Sequence, residues 1–173
     1  MRRFLAIALP HEVKTALLGD TPQLPGVKWT CPDQLHLTLR FLGDVPDEQR
    51  ETLIAALHDI PMPPLELEFS HCGFFPGVFW YGLTENPPLR ALKNTIDRRL
   101  NEFCAMPPED REFKPHITLA RLKGRPSRQL EPQLKIHCET ITVPKFTATQ
   151  FRLYSSVLDP AGVIHRVEAV FPA

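Results

Sequence analysis

Two tetrapeptides in this chain carry the same chemistry: His36-Leu37-Thr38-Leu39 and, 80 residues later, His116-Ile117-Thr118-Leu119. An unperturbed imidazole titrates near neutral pH, so two of them facing one small site can serve as general acid and general base. A threonine hydroxyl two residues on can donate to an anionic oxygen. Acid, base and hydroxyl donors together suit a phosphodiester. Water attacks phosphorus as one histidine takes its proton, and the other histidine protonates the departing ribose oxygen. From the chain's own counts of His, Thr and Leu, about 0.06 chance copies of His-x-Thr-Leu are expected, so the recurrence is the signal. His11, His58, His71, His137 and His165 stand alone and are read as structural.

Other chemistries find less support. Neither His36 nor His116 has a carboxylate or a second histidine at ligand spacing in its strand, so no metal centre is expected. A G-x-S-x-G nucleophile elbow and a Walker-type G-x-x-x-x-G-K-[ST] loop are both missing from the sequence.

The elements that must position these residues follow from periodicity. Side chains alternate along a strand, so His36 and Thr38 share one face while Leu35, Leu37 and Leu39 share the other; His116 and Thr118 oppose Ile117 and Leu119 in the same way. Strands are expected over Arg2–Leu9, Val27–Thr30, Gln34–Leu42, Leu65–His71, Val78–Leu83, His116–Leu122, Ile136–Val143, Phe146–Ser156 and Val163–Phe171. Helices are expected over His11–Gly19, from Asp44–Asp47 to Asp59, and along the face formed by Leu89, Leu92, Ile96, Leu100 and Phe103. Strand, helix, loop and motif strand occur as FLAIALP and HLTLRFLG, then recur as FWYGL and HITLARLKG. The order predicts an α+β fold over residues 1–173, one bilobal unit whose two related lobes meet about an approximate twofold axis.

Composition excludes several classes. Twenty basic residues balance twenty acidic ones, so the molecule lacks the basic excess that drives general binding to long nucleic acid. Lys114, Arg121, Lys123, Arg125 and Arg128 nevertheless cluster around the second motif without an acidic residue between them. The apolar run Phe4–Leu9 is too short for a membrane span or a signal-peptide core. Cys31, Cys72, Cys104 and Cys138 have no zinc-ligand spacing and are expected as free thiols in a reducing cytoplasm.

The motifs and their flanks resemble the 2H phosphoesterase superfamily, above all its RNA 2′,3′-cyclic phosphodiesterases, also called 2′-5′ RNA ligases. The similarity runs through RRFLAIALP, WTCPDQLHLTLRFLGDV, GFFPGVFWYGL, FKPHITLARL and FRLYSSVL. It implies a cleft between two lobes of antiparallel sheet with outer helices, and no metal or organic cofactor. It also implies hydrolysis of ribose 2′,3′-cyclic phosphates at RNA or oligonucleotide ends, or of small cyclic nucleotides, to the 2′-phosphate. In the related ligation a 5′-hydroxyl replaces water. By the same resemblance His36 and His116 are the catalytic pair, Thr38 and Thr118 their phosphate-binding partners, and Arg121 a further phosphate contact. His36 is assigned as acid and His116 as base, with the opposite order open until the ribose is placed. The turn in FFPGVFW is shorter than is common in relatives, and His165 stands where they often have an aromatic residue.

Phe41, Phe74 and Phe75 are candidates to stack on a base, since aromatic faces accept any base. Trp29 and Trp80 are assigned to the core. Lys123 and Arg125 are candidates to guide a longer RNA end. A monomer is expected, because the cleft lies within one chain. Two alternatives stand beside this: a phosphodiesterase for another small target such as ADP-ribose cyclic phosphate or 2′-5′ oligoadenylate, and a module that binds nucleotide or RNA ends without turnover. Simple binding has no need of two titratable groups.

Overall fold

The computed structural model describes residues 1–172 except 125 and 126. Among these residues ten strands and four α-helices are formed: β1 (Arg2–Ala8), α1 (His11–Leu18), β2 (Val27–Trp29), β3 (His36–Asp44), α2 (Arg50–Leu57), β4 (Leu65–Leu67), β5 (Phe69–Phe75), β6 (Val78–Leu83), α3 (Pro87–Cys104), β7 (His116–Leu122), α4 (Leu130–Thr140), β8 (Phe146–Ala148), β9 (Phe151–Asp159) and β10 (Gly162–Phe171). Eight strands form one antiparallel sheet in the order β10-β9-β1-β3-β7-β6-β5, with β2 also on β7; β4 and β8 pair separately.

This order makes the sequence repeat spatial. β3 and β7 lie side by side at the middle, and each is flanked by the strand that precedes it in its own repeat, β1 or β6. Among the described residues the central pair is joined in the ladder at Leu37 and Ile117 alone. The sheet therefore divides into two halves, β10-β9-β1-β3 and β2-β7-β6-β5, hinged at the motif strands. The fold is α+β and bilobal, as the sequence predicts.

The helices cover the face opposite the motif histidines. Leu37, Leu39, Ile117 and Leu119 are fully buried against an apolar core that also takes Val13 and Leu17 of α1, Leu53 and Leu57 of α2, Leu89, Ile96 and Leu100 of α3, and Leu134 of α4. Helix α3 begins where Asn86 accepts a hydrogen bond from Leu89 N, with Pro87 and Pro88 set in its first turn where no amide is needed.

Several sequence expectations change here: Leu65–His71 divides between β4 and β5, and Phe146–Ser156 between β8 and β9. Ile136–Val143 is not a strand; its first residues belong to α4, because Leu130, Leu134, His137 and Cys138 recur at helical spacing on the buried side while Ile136 points outward. β-branched residues in that stretch mimic a strand. Nor are all four cysteines free thiols: Cys72 of β5 and Cys138 of α4 form a disulfide, with Cα atoms 6.4 Å apart, and Cys31 and Cys104 are the free ones. This bond ties α4 to the outer strand of one half. Among the described residues no helix is long and apolar enough to cross a membrane.

Candidate active site

The register of the central pair determines how the motif residues meet. With Leu37 opposite Ile117 in an antiparallel ladder, His36 comes opposite Thr118 and Thr38 opposite His116. Continued outward, that register sets each motif histidine on the same face as the threonine of the other half. His36 Nδ1–H donates to the carbonyl of Gln34 at 2.6 Å, and His116 Nδ1–H donates to the carbonyl of Lys114 at 2.6 Å. Since a carbonyl can only accept, both rings carry their proton on Nδ1 when neutral, leaving Nε2 as the free lone pair. Among the described residues the Thr38 and Thr118 hydroxyls have no protein hydrogen-bond partner, so both remain available to donate.

A β-bulge in each motif strand adds one more residue to the cleft. Opposite Leu5-Ala6 the partners jump from Arg40 to Thr38, skipping Leu39; opposite Phe79-Trp80 they jump from Ala120 to Thr118, skipping Leu119. Strict alternation would put Arg40 in the cleft and Arg121 in the core. The bulge instead buries Leu39 with Arg40 and Leu119 with Ala120, and returns the next residue to the cleft side. That residue is Phe41 in one half, 63% exposed, and Arg121 in the other, also exposed. Both lie five positions after their histidine. Lys28 of β2 pairs with Arg121 and shares its face.

The surroundings of the two histidines differ. His36 lies against Phe4, with ring centroids 4.8 Å apart, and Phe4 stacks on Tyr154 at 5.1 Å. His165 of β10 completes this wall, perpendicular to His36 at 5.5 Å and held through Nδ1 by Ser156 Oγ at 3.2 Å. His116 instead meets Phe75 edge-on at 5.0 Å and Trp80 at 5.9 Å. The Trp80 indole fits there because its neighbours are glycines: a Cβ at Gly73 would overlap it, and one at Gly82 would stand 2.9 Å from Cζ3.

Burial disfavours the charged form of both catalytic candidates. It pushes His36 down to about 4, opposed by its bond to Gln34 and reinforced by the positive forms of His165 and His116 and by Lys14. His116 is lowered by burial as well, against the bond to Lys114. The charges of His165, His116 and Lys14 on His36 are all positive, an environment that favours an incoming anion. Among the described residues no three of His, Cys, Asp and Glu gather as a metal ion would need.

Both motif strands are anchored from behind. Arg40, 6% exposed, bonds to Asp97 of α3 at 3.3 Å and to the carbonyl of Pro107, while Lys93 bonds the same carboxylate at 2.6 Å and Glu109 at 3.2 Å. Thr30 holds the other strand, with its hydroxyl donating to the carbonyl of Thr118 at 2.9 Å and its amide to that of Leu119 at 2.9 Å.

The cleft brings together His36, His116, Thr38, Thr118, Arg121, Phe41 and Phe75. Phe74 does not join them: it packs on the fully buried Phe79 at 5.1 Å, on the core side of β5. Trp80 moves the other way, from expected core to the wall beside His116, whereas Trp29 packs on Phe79 and His137 as a core residue. His165, read as structural, stands next to His36. Lys28 is a further residue that the sequence motifs do not reveal. The signal for Lys28 is its cross-strand pairing and for His165 its place on the hairpin folded over β1, and neither is local in sequence. Arg125 lies outside the described residues.

Residues 27–159, which include both motifs, match the family model of the 2′-5′ RNA ligase superfamily. A relative called RNA 2′,3′-cyclic phosphodiesterase in Thermus thermophilus is 33% identical, over 96% of this chain and 87% of its own length; one of that name in Archaeoglobus fulgidus is 28% identical over 99% of both. Among solved structures, a protein of Thermus thermophilus superposes with a TM-score of 0.82 at 29% identity, covering 99% of this chain and 97% of that one. E. coli LigT complexed with 3′-AMP superposes with a TM-score of 0.79 at 25% identity, covering 98% and 96%. The chain belongs to the 2′-5′ RNA ligase superfamily.

Proposed function

We propose that this protein hydrolyses the 2′,3′-cyclic phosphate of RNA or oligonucleotide ends, and of small cyclic nucleotides, leaving a 2′-phosphate. The observation that carries this is the pair of imidazoles on opposite halves of one cleft, each with Nδ1–H on a carbonyl and Nε2 free, each sharing its face with threonine hydroxyls that have no hydrogen-bond partner among the described residues. In-line displacement at phosphorus needs a base on one side and an acid on the other, and two half-sites supply that separation.

The contrast between the halves orients the substrate. Phe41 offers an exposed aromatic face beside His36, with Phe4, Tyr154 and His165 behind it, and suits the nucleoside. The ribose then lies on that side, with its 3′ oxygen toward His36. His36 is accordingly the acid, and His116 the base that takes a proton from water. Thr38 and Thr118 donate to the non-bridging oxygens. Arg121 and Lys28 balance the phosphate charge from the other half, on the side of the attacking oxygen. His36 gains its proton as the anion enters, and its depressed affinity for that proton makes it a strong acid toward the leaving alkoxide. With a 5′-hydroxyl in place of water, the same arrangement forms a 2′-5′ linkage. The chemistry runs on side chains of one chain, so a monomer without metal suffices.

The test is incubation with 2′,3′-cyclic AMP in excess EDTA, with 2′-AMP and 3′-AMP resolved by chromatography. Accumulation of 2′-AMP alone is expected. No product, from this nucleotide and from a short RNA ending in a cyclic phosphate, would leave a binding module.

A further inference from the structure

The cleft holds a third imidazole that the reaction just described does not use. His165 lies on β10, three strands from β3, with β9 and β1 between them. Its ring meets His36 edge to face, centroids 5.5 Å apart at 89°, and both rings lie on Phe4, at 4.9 Å and 4.8 Å. Ser156 Oγ, 3.2 Å from His165 Nδ1, fixes the ring against rotation.

We propose that His165 is a positioning residue for His36: the two rings compete for one proton, and His165 holds it first, so that His36 takes up its own proton only against a positive neighbour. This rests on the proposed role of His36 in catalysis. The argument is geometric. Two unit charges 5.5 Å apart repel by about 0.5 to 2 pH units' worth of proton affinity between the limits of bulk water and a protein surface. Such rings titrate as a coupled pair. His165 sits on the outer strand and is more exposed than His36, so desolvation depresses it less and it protonates earlier. The other groups around the pair leave this order intact. From β9 the pair meets Tyr154, beside His36, and Ser156, bonded to His165; from β1, Phe4; the charges of His116 of β7 and Lys14 of α1, which also act on His36, are positive. Among the described residues no carboxylate forms an ion pair with either ring. A neighbour that lowers the proton affinity of His36 makes it a better proton donor once the substrate's negative charge has loaded it.

The test compares the full-length protein with His165→Phe, His165→Gln and His165→Lys. Imidazole titrations are followed by long-range proton–nitrogen NMR, together with the pH profile of kcat/KM on 2′,3′-cyclic AMP; the amide spectrum of each variant checks its fold. Removing the charge should raise the His36 midpoint, and the acid limb of the profile with it, by about 0.5 unit or more in both Phe and Gln variants. A permanent lysine charge, which reproduces the protonated ring that His36 already titrates against, should leave both near the parent values. Midpoints within about 0.2 unit of the parent in the Phe and Gln variants, or a lysine variant that shifts in their direction, would overturn the proposal and leave His165 as a packing residue. The NMR titration needs no turnover, so a failed activity assay cannot be mistaken for a failed pair.

Discussion

The half of the cleft around His36 and the half around His116 have the same backbone and different equipment. Each has a histidine bonded to the carbonyl two residues back, a threonine on the same face, and a bulge at the following leucine. Beyond that the first half is aromatic, with Phe41, Phe4 and Tyr154, and its nearest cationic group is the titratable His165. The second carries the permanent charges of Arg121 and Lys28. The backbone symmetry serves what the reaction needs on both sides of phosphorus, a proton carrier and a hydrogen-bond donor. The side-chain asymmetry serves what differs, a nucleoside on one side of the phosphorus and the anionic charge of the phosphate met from the other.

The comparison can be broken most severely at the histidines. His36→Ala and His116→Ala should each lose about 10²- to 10⁴-fold in kcat on 2′,3′-cyclic AMP, and the double variant should fall far short of the product. Near-normal rates in both would remove the mechanism. The two should part on an aryl phosphodiester, whose leaving group needs no proton: His36→Ala recovers there and His116→Ala does not. Equal recovery would abolish the acid and base assignment.

A second difference is covalent. The Cys72–Cys138 bond closes a loop of separation 66 in the second half, worth about 4 kcal/mol on loop-closure entropy. Reductant should lower the urea midpoint correspondingly, and a thiol titration without reductant should count Cys31 and Cys104 alone. Four titrating thiols in the native, unreduced protein would show that the bond is not formed.

Smaller effects separate the two positions five residues past each histidine. Phe41→Ala and Arg121→Ala should each raise KM about tenfold, through lost stacking and lost charge-assisted hydrogen bonds respectively. On a ribose cyclic phosphate without a base, the Phe41 effect should vanish and the Arg121 effect persist. The same response of both variants on both substrates would erase the proposed orientation.

The mildest contrast is with pH. The folded-state affinity of His36 for a proton lies below that of the unfolded chain, so in the window from about 6.5 down to 4 the unfolded state binds more protons and stability falls as pH falls. His36→Gln should flatten that decline in urea midpoints measured from pH 7 to 4. An unchanged slope would mean that His36 is not held neutral.

How much of this is legible in the sequence depends on whether the signal is local. The motif strands, their apolar faces and the long helix α3 follow from periodicity within a few residues. The bulges do not, since Leu39 and Leu119 look like ordinary inward-facing leucines until their partners are known. α4 escapes a local reading because Ile136, Ile141 and Val143 have the branched side chains of a strand, while the burial of Leu134 and Cys138 is decided by β5. His165 reaches His36 only because β10 folds on β9 and β9 on β1.

The bulge in each motif strand gives the two repeats a common address for divergence. A residue at that position faces the substrate without belonging to the catalytic pair, so it can be exchanged while the ladder stays as it is. One copy holds a flat ring there and its twin a fork of charge. Exchanging them, Phe41→Arg with Arg121→Phe, is how an engineer would try to turn the nucleotide end for end. A duplicated protein has in this way kept one scaffold and learned to tell left from right.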